Sequence, residues 1–327
     1  MRLVKPILFL ILKNNTNIKS GWLVIVNPAS GGGKVFRRFA EIEKAFAAHN
    51  IEYELRVTQK RGDATELVKK AILTEGYRRI MGIGGDGTGN EIINGIFTQN
   101  DVPLEDIIYT MYAAGTGNDW VRMHDIPNDL SEFCRMILRG RLGQQDIGLV
   151  NFFDKNGRDK KKYFANAGGL GYDSFVVQSV EQNTKRWLPK KFAYFFHILK
   201  CLFAYKAERV RVLFDGQVIE DHFYTLNFGI NKFAGAGMQL TPQAVKDDGL
   251  LALTLISNLP RWKVIFYTPR LYSGGVADIP EARLFKTKKI KVESLGNPIF
   301  CETDGEFIGP TPTEISIFKH KLRIVVP

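Results

Sequence analysis

The fold is decided by residues 78–91, where the sequence RRIMGIGGDGTGNE joins an apolar, strand-like run to a glycine-rich loop. Helix-forming sequence follows this loop, and the same order of strand, loop and helix recurs on both sides of it. The other strand-like runs are WLVIV at 22–26, IEYELRVT at 51–58 and IIYTMYAA at 107–114. Because parallel strands need crossover connections, strands that alternate with helices predict an N-terminal, Rossmann-like parallel α/β domain.

The sequence changes character after Gly140. Short strand-like runs dominate, and pairs such as Asn156-Gly157 and Asp215-Gly216 supply hairpin-turn chemistry between them. We therefore predict a C-terminal, mostly antiparallel β-sandwich domain that carries one amphipathic helix over 185–206. The predicted limits are an N-terminal extension over 1–20, an α/β domain over 21–143 and a β domain over 144–327. A return of the last strand or tail to the first domain is the alternative left open.

The chain of 327 residues is basic, with 45 Lys and Arg against 34 Asp and Glu, or 45 − 34 = +11. Most of the excess lies in residues 148–327, which hold 26 basic and 17 acidic residues, or 26 − 17 = +9. A basic half predicts an anionic partner, either a membrane surface or a nucleic acid. The Lys-rich stretch at 152–163 has aromatic neighbours, but Asn156-Gly157 marks it as a hairpin tip. We therefore predict a solvated or membrane-facing hairpin and no nucleic-acid partner.

The cysteines Cys134, Cys201 and Cys301 lie far apart without a C-x-x-C pair, which predicts a reducing, cytoplasmic location. The five histidines are scattered, and no zinc site is predicted. The apolar runs from Pro6 to Leu12 and from Phe192 to Tyr205 are too short to span a bilayer, which needs about 20 residues. The second run is interpreted as an amphipathic helix that covers a core or lies at a lipid entrance or on a membrane.

Three glycine-rich loops follow three strands of the predicted α/β domain. They are NPASGGGK at 27–34, GGDGTGNE at 84–91 and GTGNDW at 115–120. A parallel sheet gathers such loops at the edge where its strands end, and glycine backbones and helix N-termini bind anions there. The sequence therefore predicts a nucleotide site at this edge.

The composition of the loops narrows the nucleotide chemistry. The first loop is not a P-loop, because Pro28 stands where the Walker A motif opens with glycine and no Ser or Thr follows Lys34. The second loop contains G-x-G-x-x-G at 82–87, a weak dinucleotide fingerprint, but the charge of Asp86 inside it would repel a bare pyrophosphate. A carboxylate in this position suits phosphoryl transfer, in which it accepts a hydroxyl proton or organises the metal.

Several further motifs follow in order along the chain. The full set is NPxSG at 27–31, Thr58, GGDGTxNE at 84–91, GTxND at 115–119, NAGGLGYD at 166–173, PxAxxDDGL at 242–250 and DGE at 304–306. In these motifs and their order the sequence resembles the lipid kinases with a diacylglycerol kinase catalytic domain, which include soluble bacterial diacylglycerol kinases and sphingosine and ceramide kinases. The resemblance covers nearly the whole chain from Trp22.

The resemblance implies roles for individual residues. Mg²⁺ would be bound by the carboxylate of Asp248 and the backbone carbonyls of Val245 and Leu250, and oxygen ligands are those that Mg²⁺ prefers. The catalytic base would be Asp86 or Glu306, and the sequence leaves both open. The residues implied to hold ATP are Asn27, Pro28, Ala29, Ser30, Gly31, Thr58, Gly84, Gly85, Asp86, Gly87, Thr88, Gly89, Asn90 and Thr116.

The implied function is an ATP- and Mg²⁺-dependent lipid kinase that transfers the γ-phosphoryl group to the hydroxyl of a diacylglycerol-like or sphingosine-like lipid. The β domain would hold the acyl chains, and its charge would keep the enzyme peripherally on an anionic membrane. A homodimer is left open. One alternative is a NAD kinase-like enzyme with a polar acceptor. The other is a non-catalytic lipid-binding protein, which the presence of Asp86, Thr88, Asp248 and Glu306 disfavours.

Overall fold

The computed structural model describes residues 18–115, 117–154, 156–182 and 200–327. The strands, in chain order, are β1 (Trp22–Val26), β2 (Tyr53–Val57), β3 (Arg79–Gly84), β4 (Ile108–Ala113), β5 (Leu142–Gln145), β6 (Gly148–Phe153), β7 (Asp159–Phe164), β8 (Ala167–Gly171), β9 (Arg209–Phe214), β10 (Gln217–Gly229), β11 (Leu251–Ser257), β12 (Ala282–Thr287), β13 (Lys289–Ser294), β14 (Phe300–Thr303), β15 (Glu306–Pro310), β16 (Thr313–Ile317) and β17 (Leu322–Val325). The helices are α1 (Ser30–Ala48), α2 (Asp63–Thr74), α3 (Asp86–Thr98), α4 (Asp119–Met123), α5 (Leu130–Arg139), α6 (Tyr172–Gln182) and α7 (Arg261–Ser273), and residues 200–204 are also helical.

The chain forms two compact units. The first contains residues up to 114, together with 126–143 and 322–327, and the second contains 115–125 and 144–321. The predicted domain limits stay a prediction. The run from Pro6 to Leu12, Thr116 and most of the helix predicted over 185–206 lie outside the described residues.

The first unit is built on a six-stranded sheet with the order β2-β1-β3-β4-β17-β5. Strands β1 to β4 are parallel to their neighbours, and β17 is parallel to β4. Every residue of β1 is buried, as expected for a strand covered by helices on both faces. The predicted Rossmann-like α/β architecture is confirmed.

The second unit is an antiparallel β-sandwich in which one long strand belongs to both sheets. The first half of β10 pairs with β9, and its second half pairs with β8 and β11. Apolar side chains from both sheets, including Val150, Phe164, Phe228 and Leu253, form the core. The predicted β-sandwich is confirmed.

Both predicted turn pairs lie between neighbouring antiparallel strands, and Asp215, Gly216 and Gly157 have the left-handed backbone that is common in hairpin turns. Asp215 and Gly216 have φ values of 48° and 73° and join β9 to β10, and Gly157, with φ of 71°, lies between β6 and β7. Helices α4, α6 and α7 and strands β5, β12 and β14 to β16 were not predicted. Within the described part of the chain, no helix is long and apolar enough to cross a bilayer.

Candidate functional site

The carboxyl ends of β2, β1 and β3 lie side by side at one edge of the parallel sheet. Backbone hydrogen bonds join them, from Thr58 N–H to the carbonyl of Val26 at 2.9 Å and from Asn27 N–H to that of Ile83 at 3.1 Å. The hydroxyl of Thr58 also donates to the Val26 carbonyl at 3.3 Å. The structure therefore brings Thr58, Asn27 and Gly84 together where the sequence predicts a phosphate-binding edge.

The side chain of Asn27 links the first loop to the second. Its Oδ1 accepts the N–H of Ala29 at 3.0 Å, and its Nδ2 donates to Oγ1 of Thr88 at 3.3 Å. Gly31, Gly32 and Gly33 follow with φ values of 60°, 70° and 83°, so three successive residues are left-handed. A Cβ atom at Gly32 or Gly33 would meet nothing within 4 Å. Open space beside a left-handed glycine backbone suits the close approach of a phosphate.

The glycines of the second loop serve different purposes. A Cβ at Gly84 would lie 2.5 Å from Oγ1 of Thr88, and one at Gly89 would lie 3.1 Å from Sδ of Met111. The contact with Thr88 disfavours a side chain at Gly84, whereas at Gly89 the neighbouring side chain would have to shift by only a few tenths of an ångström. At Gly87 nothing lies within 4 Å, so the missing side chain leaves free space outside the loop.

Asp86 is the first residue of α3 and is only partly buried. Its helix has 13 residues, and the N-terminal end of a helix favours negative charge. The same end attracts phosphate, so the backbone suits a bound anion while the Asp86 carboxylate suits proton transfer or metal binding.

Glu91 holds the neighbouring helix. Its carboxylate accepts the N–H groups of Gly62 at 2.8 Å and of Ala64 at 3.2 Å, at the N-terminus of α2. The hydroxyl of Thr65 donates to the Glu91 carbonyl at 2.8 Å. This geometry favours a capping role over direct chemistry for Glu91.

The third loop is held inside the second unit by a buried glutamine. Oε1 of Gln145 accepts the indole N–H of Trp120 at 2.7 Å and lies 2.8 Å from Nε2 of His124. The Nε2 of Gln145 donates to the carbonyl of Ala165 at 2.5 Å. His124 is 2% exposed, and burial lowers its pKa to about 3, so the ring is neutral and donates to Gln145.

Asn231 connects the third loop to the motif that begins at Asn166. Its Nδ2 donates to the Asp119 carbonyl at 3.0 Å and to Oδ1 of Asn166 at 2.8 Å. Oδ2 of Asp119 accepts the N–H of Ala236 at 3.0 Å. Because Asn231 is fully buried, this pair of bonds fixes Asp119 and Asn166 relative to each other.

The DGE turn is attached to the same segment. The Asp304 carboxylate accepts the N–H groups of Ala165 at 3.1 Å and of Asn166 at 3.0 Å. Glu306 forms an ion pair with Lys162, and both side chains are mostly buried. The interpretation of the Lys-rich hairpin as solvated or membrane-facing is wrong for Lys162. Toward its end β7 enters the sandwich and carries this lysine to Glu306.

Asp173, at the end of the NAGGLGYD motif, lies among polar groups. Its Oδ2 accepts the Thr225 hydroxyl at 2.7 Å and the Asn227 amide. Burial raises the pKa of Asp173 above its usual range, and burial together with the Asp173 charge raises that of Glu302. This part of the unit therefore disfavours two charged carboxylates side by side.

The turn at 245–250 is fastened by Asp146, which is 1% exposed. Its carboxylate accepts the N–H of Gly249 at 2.6 Å and forms an ion pair with Lys321 at 3.2 Å. Oδ1 of Asp248 accepts the Leu250 N–H at 3.0 Å, and its Oδ2 lies 2.6 Å from Nζ of Lys286. Among the described residues no three His, Cys, Asp or Glu side chains are grouped for a metal, so a cation at Asp248 would also draw on carbonyls and water.

Two family models together match most of the chain. A diacylglycerol kinase catalytic domain matches residues 21–150, and a YegS C-terminal NAD kinase beta sandwich-like domain matches residues 168–326. The chain belongs to the lipid kinases with a diacylglycerol kinase catalytic domain. The resemblance of the sequence motifs to this family is thereby confirmed.

Two bacterial relatives of this lipid kinase match its sequence over 93% of the chain. A diacylglycerol kinase of Staphylococcus carnosus is 27% identical over 304 residues, which are 93% of this chain and 94% of the relative. One of Mycobacterium tuberculosis is 26% identical over 306 residues, with the same coverage.

Solved structures share the fold. A diacylglycerol kinase from Bacillus anthracis has a TM-score of 0.69 and 21% identity, covering 94% of this chain and 97% of its own. A yeast NADH kinase has a TM-score of 0.54 and 11% identity, covering 94% and 83%.

Several residues that build the site of this lipid kinase were not predicted from the sequence. The structure adds Asp146, Lys162 and Asn231, each of which holds a predicted motif through a side-chain contact. Asn231 lies just after β10, and a polar residue that follows an apolar, strand-like run was the signal available in the sequence. The sequence gave no such signal for Asp146 and Lys162, because the residues they contact lie about 100 positions or more away along the chain.

Proposed function

We propose that this lipid kinase transfers the γ-phosphoryl group of ATP, with Mg²⁺, to the hydroxyl of diacylglycerol. The observation that carries the proposal is the hydrogen bond from Asn27 to Thr88. It joins the first glycine-rich loop, with its left-handed Gly31–Gly33 backbone, to the second loop, which contains Asp86, at one edge of the sheet. The names of the relatives, which match over 93% of the chain, support diacylglycerol as the acceptor.

The residues have the following proposed roles. Asn27, Pro28, Ala29, Ser30, Gly31, Thr58, Thr116 and the residues from Gly84 to Asn90 hold ATP, with the phosphates against the open glycine backbones. Asp86 or Glu306 accepts the proton of the lipid hydroxyl, since a carboxylate is the usual base in phosphoryl transfer.

Asp248, with the carbonyls of Val245 and Leu250, is the proposed Mg²⁺ site. The donor set is all oxygen and fits a hard cation. Bound Mg²⁺ neutralises phosphate charge and orients the phosphates for in-line transfer. The Gly249 backbone, with φ of 75°, and the bond to Asp146 hold this turn in shape.

The test is an acceptor panel. The purified chain is incubated with labelled Mg·ATP and with diacylglycerol, sphingosine, ceramide, phosphatidylglycerol or NAD⁺, and the phosphorylated products are separated. Diacylglycerol is expected to be labelled most, and the double variant Asp86→Asn, Glu306→Gln serves as the low-activity control, because it removes both candidate bases. Labelling of NAD⁺ alone would replace the proposal with a NAD kinase-like function, and no labelling at all would favour a non-catalytic lipid-binding protein.

A further inference from the structure

Helix α7 carries a stripe of large apolar side chains on its exposed face. Trp262, Ile265, Phe266 and Tyr272 are 64%, 53%, 65% and 55% exposed, and Pro269 is exposed between them. Their spacing of i, i+3, i+4, i+7 and i+10 places them along one side of a helix. Single exposed apolar residues are ordinary, but five aligned on one helix form a patch.

The opposite face of α7 is apolar as well. Val264 and Tyr267 pack against the small core formed with Tyr172, Tyr224 and neighbouring residues. A surface helix of a globular protein normally turns polar side chains outward. The outer stripe therefore does not serve the packing of the unit.

The patch continues onto the helical residues 200–204. Phe203 is 62% exposed, and Arg261 donates from Nε to the carbonyl of Leu202 at 3.2 Å and from Nη2 to that of Phe203 at 3.0 Å. The Arg261 guanidinium also lies 5.8 Å from the centre of the Phe203 ring. Phe203 and α7 thus form one surface, which we call the α7 patch.

Basic residues surround the α7 patch. Segments 200–206 and 260–274 contain five basic residues and no acidic one, a charge of 5 − 0 = +5. Glu281, outside these segments, pairs with Lys263 at 2.5 Å and offsets one of these charges. The five basic residues are Lys200, Lys206, Arg261, Lys263 and Arg270.

We propose that the α7 patch docks on an anionic lipid bilayer and inserts Trp262, Ile265, Phe266 and Phe203 among the lipid headgroups. Aromatic side chains ringed by Lys and Arg are the signature of an interfacial helix, and each basic group is attracted to anionic lipid. A second copy of the chain is the weaker candidate, because a twofold contact through this patch would bring two positive surfaces together. The inference rests on the proposed function, since it names the face that meets the lipid substrate's membrane.

The test is sedimentation of the full chain with vesicles of phosphatidylcholine, with and without phosphatidylglycerol. The triple variant Trp262→Ser, Ile265→Ser, Phe266→Ser is expected to lower partitioning onto phosphatidylglycerol vesicles by at least about tenfold. Higher salt is expected to weaken wild-type binding through screening. A matched control replaces three residues of similar exposure elsewhere, Val57, Leu138 and Val218, with serine and keeps wild-type binding.

Two results would overturn the docking surface. One is equal vesicle binding by the triple variant and the wild type. The other is a shift from dimer to monomer in light scattering of the triple variant with vesicle binding unchanged, which would assign the patch to a second copy.

Activity separates this inference from the proposed function. With a short-chain diacylglycerol dissolved as monomers, the triple variant is expected to keep wild-type turnover, while turnover on vesicles falls at least about tenfold. If the wild type phosphorylates diacylglycerol in neither form but its vesicle binding still depends on the α7 patch, the proposed function fails and the docking surface stands. Loss of turnover on the monomeric acceptor would contradict a role confined to docking.

Discussion

At the scale of single residues, substitutions of Gly87 and Gly84 test whether the second glycine-rich loop binds phosphate, because the two glycines have opposite surroundings. A Cβ at Gly87 meets no protein atom within 4 Å, whereas one at Gly84 lies 2.5 Å from Thr88 Oγ1. Gly87→Ala is expected to leave the melting temperature unchanged and to raise the KM for ATP about tenfold, because the methyl group occupies phosphate space. Gly84→Ala is expected to lower stability and ATP affinity together. Thermal unfolding measures the stability of both variants, and steady-state kinetics measure their KM for ATP. A wild-type KM for Gly87→Ala would show that the phosphates do not bind beside this position.

The catalytic base is assigned by a pair of isosteric variants. Asp86→Asn or Glu306→Gln, whichever removes the base, is expected to lower kcat by about 10² to 10⁴ while ATP still binds. The other variant is expected to have a smaller effect. Lys162→Met is the control for Glu306, because it removes the ion-pair partner and leaves the carboxylate. Near-normal kcat in both carboxylate variants would reject general-base catalysis by either residue.

His124 gives a pH dependence whose sign follows from its burial. Its pKa is about 3 in the folded chain, because burial disfavours the charged ring, against 6.5 for an unperturbed histidine. As pH falls below 6.5, His124 becomes protonated in the unfolded chain but stays neutral in the folded chain. The free energy of unfolding therefore decreases by about 1.4 kcal/mol per pH unit down to a pH of about 3. His124→Leu is expected to lose this part of the slope in denaturant titrations between pH 4 and 7. An unchanged slope would mean that His124 does not resist protonation.

At the scale of secondary structure, substitution of Glu91 tests whether this residue of the second loop stabilises helix α2 or takes part in catalysis. Its two bonds to the N-terminus of α2 predict that Glu91→Ala lowers the free energy of unfolding by about 1 to 3 kcal/mol. The kcat of the folded fraction is expected to stay near that of the wild type. Glu66→Ala, in the first turn of the same helix and exposed, is the control and is expected to change stability by less than about 0.5 kcal/mol. A large loss of kcat at wild-type stability would assign Glu91 to the chemistry instead.

The elements differ in how far the sequence determines them. Strands β1, β3 and β4 were predictable because strands covered on both faces appear as mostly apolar runs. The edge strand β2 has no fully buried residue and was predicted from its place in the alternation of strands and helices. The Asp215-Gly216 hairpin was predictable because its left-handed backbone favours those residues. Helix α7 was missed because its outer face is apolar, which removes the contrast between faces that marks a helix. The glycine loops were identified from local composition, but the Gln145 and Asn231 contacts depend on tertiary packing that no local pattern encodes.

At the scale of the whole molecule, the last strand makes the first unit depend on the end of the chain. Strand β17 pairs in parallel with β4, with Arg323 beside Ile108 and Ile324 beside Tyr109. Its neighbour on the other side is β5, and Val326 N–H donates to the Arg141 carbonyl at 3.0 Å. The first unit is therefore completed only after the second unit's sequence has been made.

Deleting residues 322–327 is expected to destabilise the first unit by about 5 kcal/mol, because it removes the buried Leu322, Ile324 and Val325 and leaves β4 unpaired on one side. Hydrogen exchange measured by mass spectrometry is expected to show faster exchange in β4 than in the full chain. Ile324→Ser is expected to act in the same direction more weakly, and the exposed Lys319→Ser, just before the strand, serves as the control. If the β4 amides kept full protection in the deletion variant, the sheet would not need its C-terminal strand, and the α/β unit would be complete within residues 21–143.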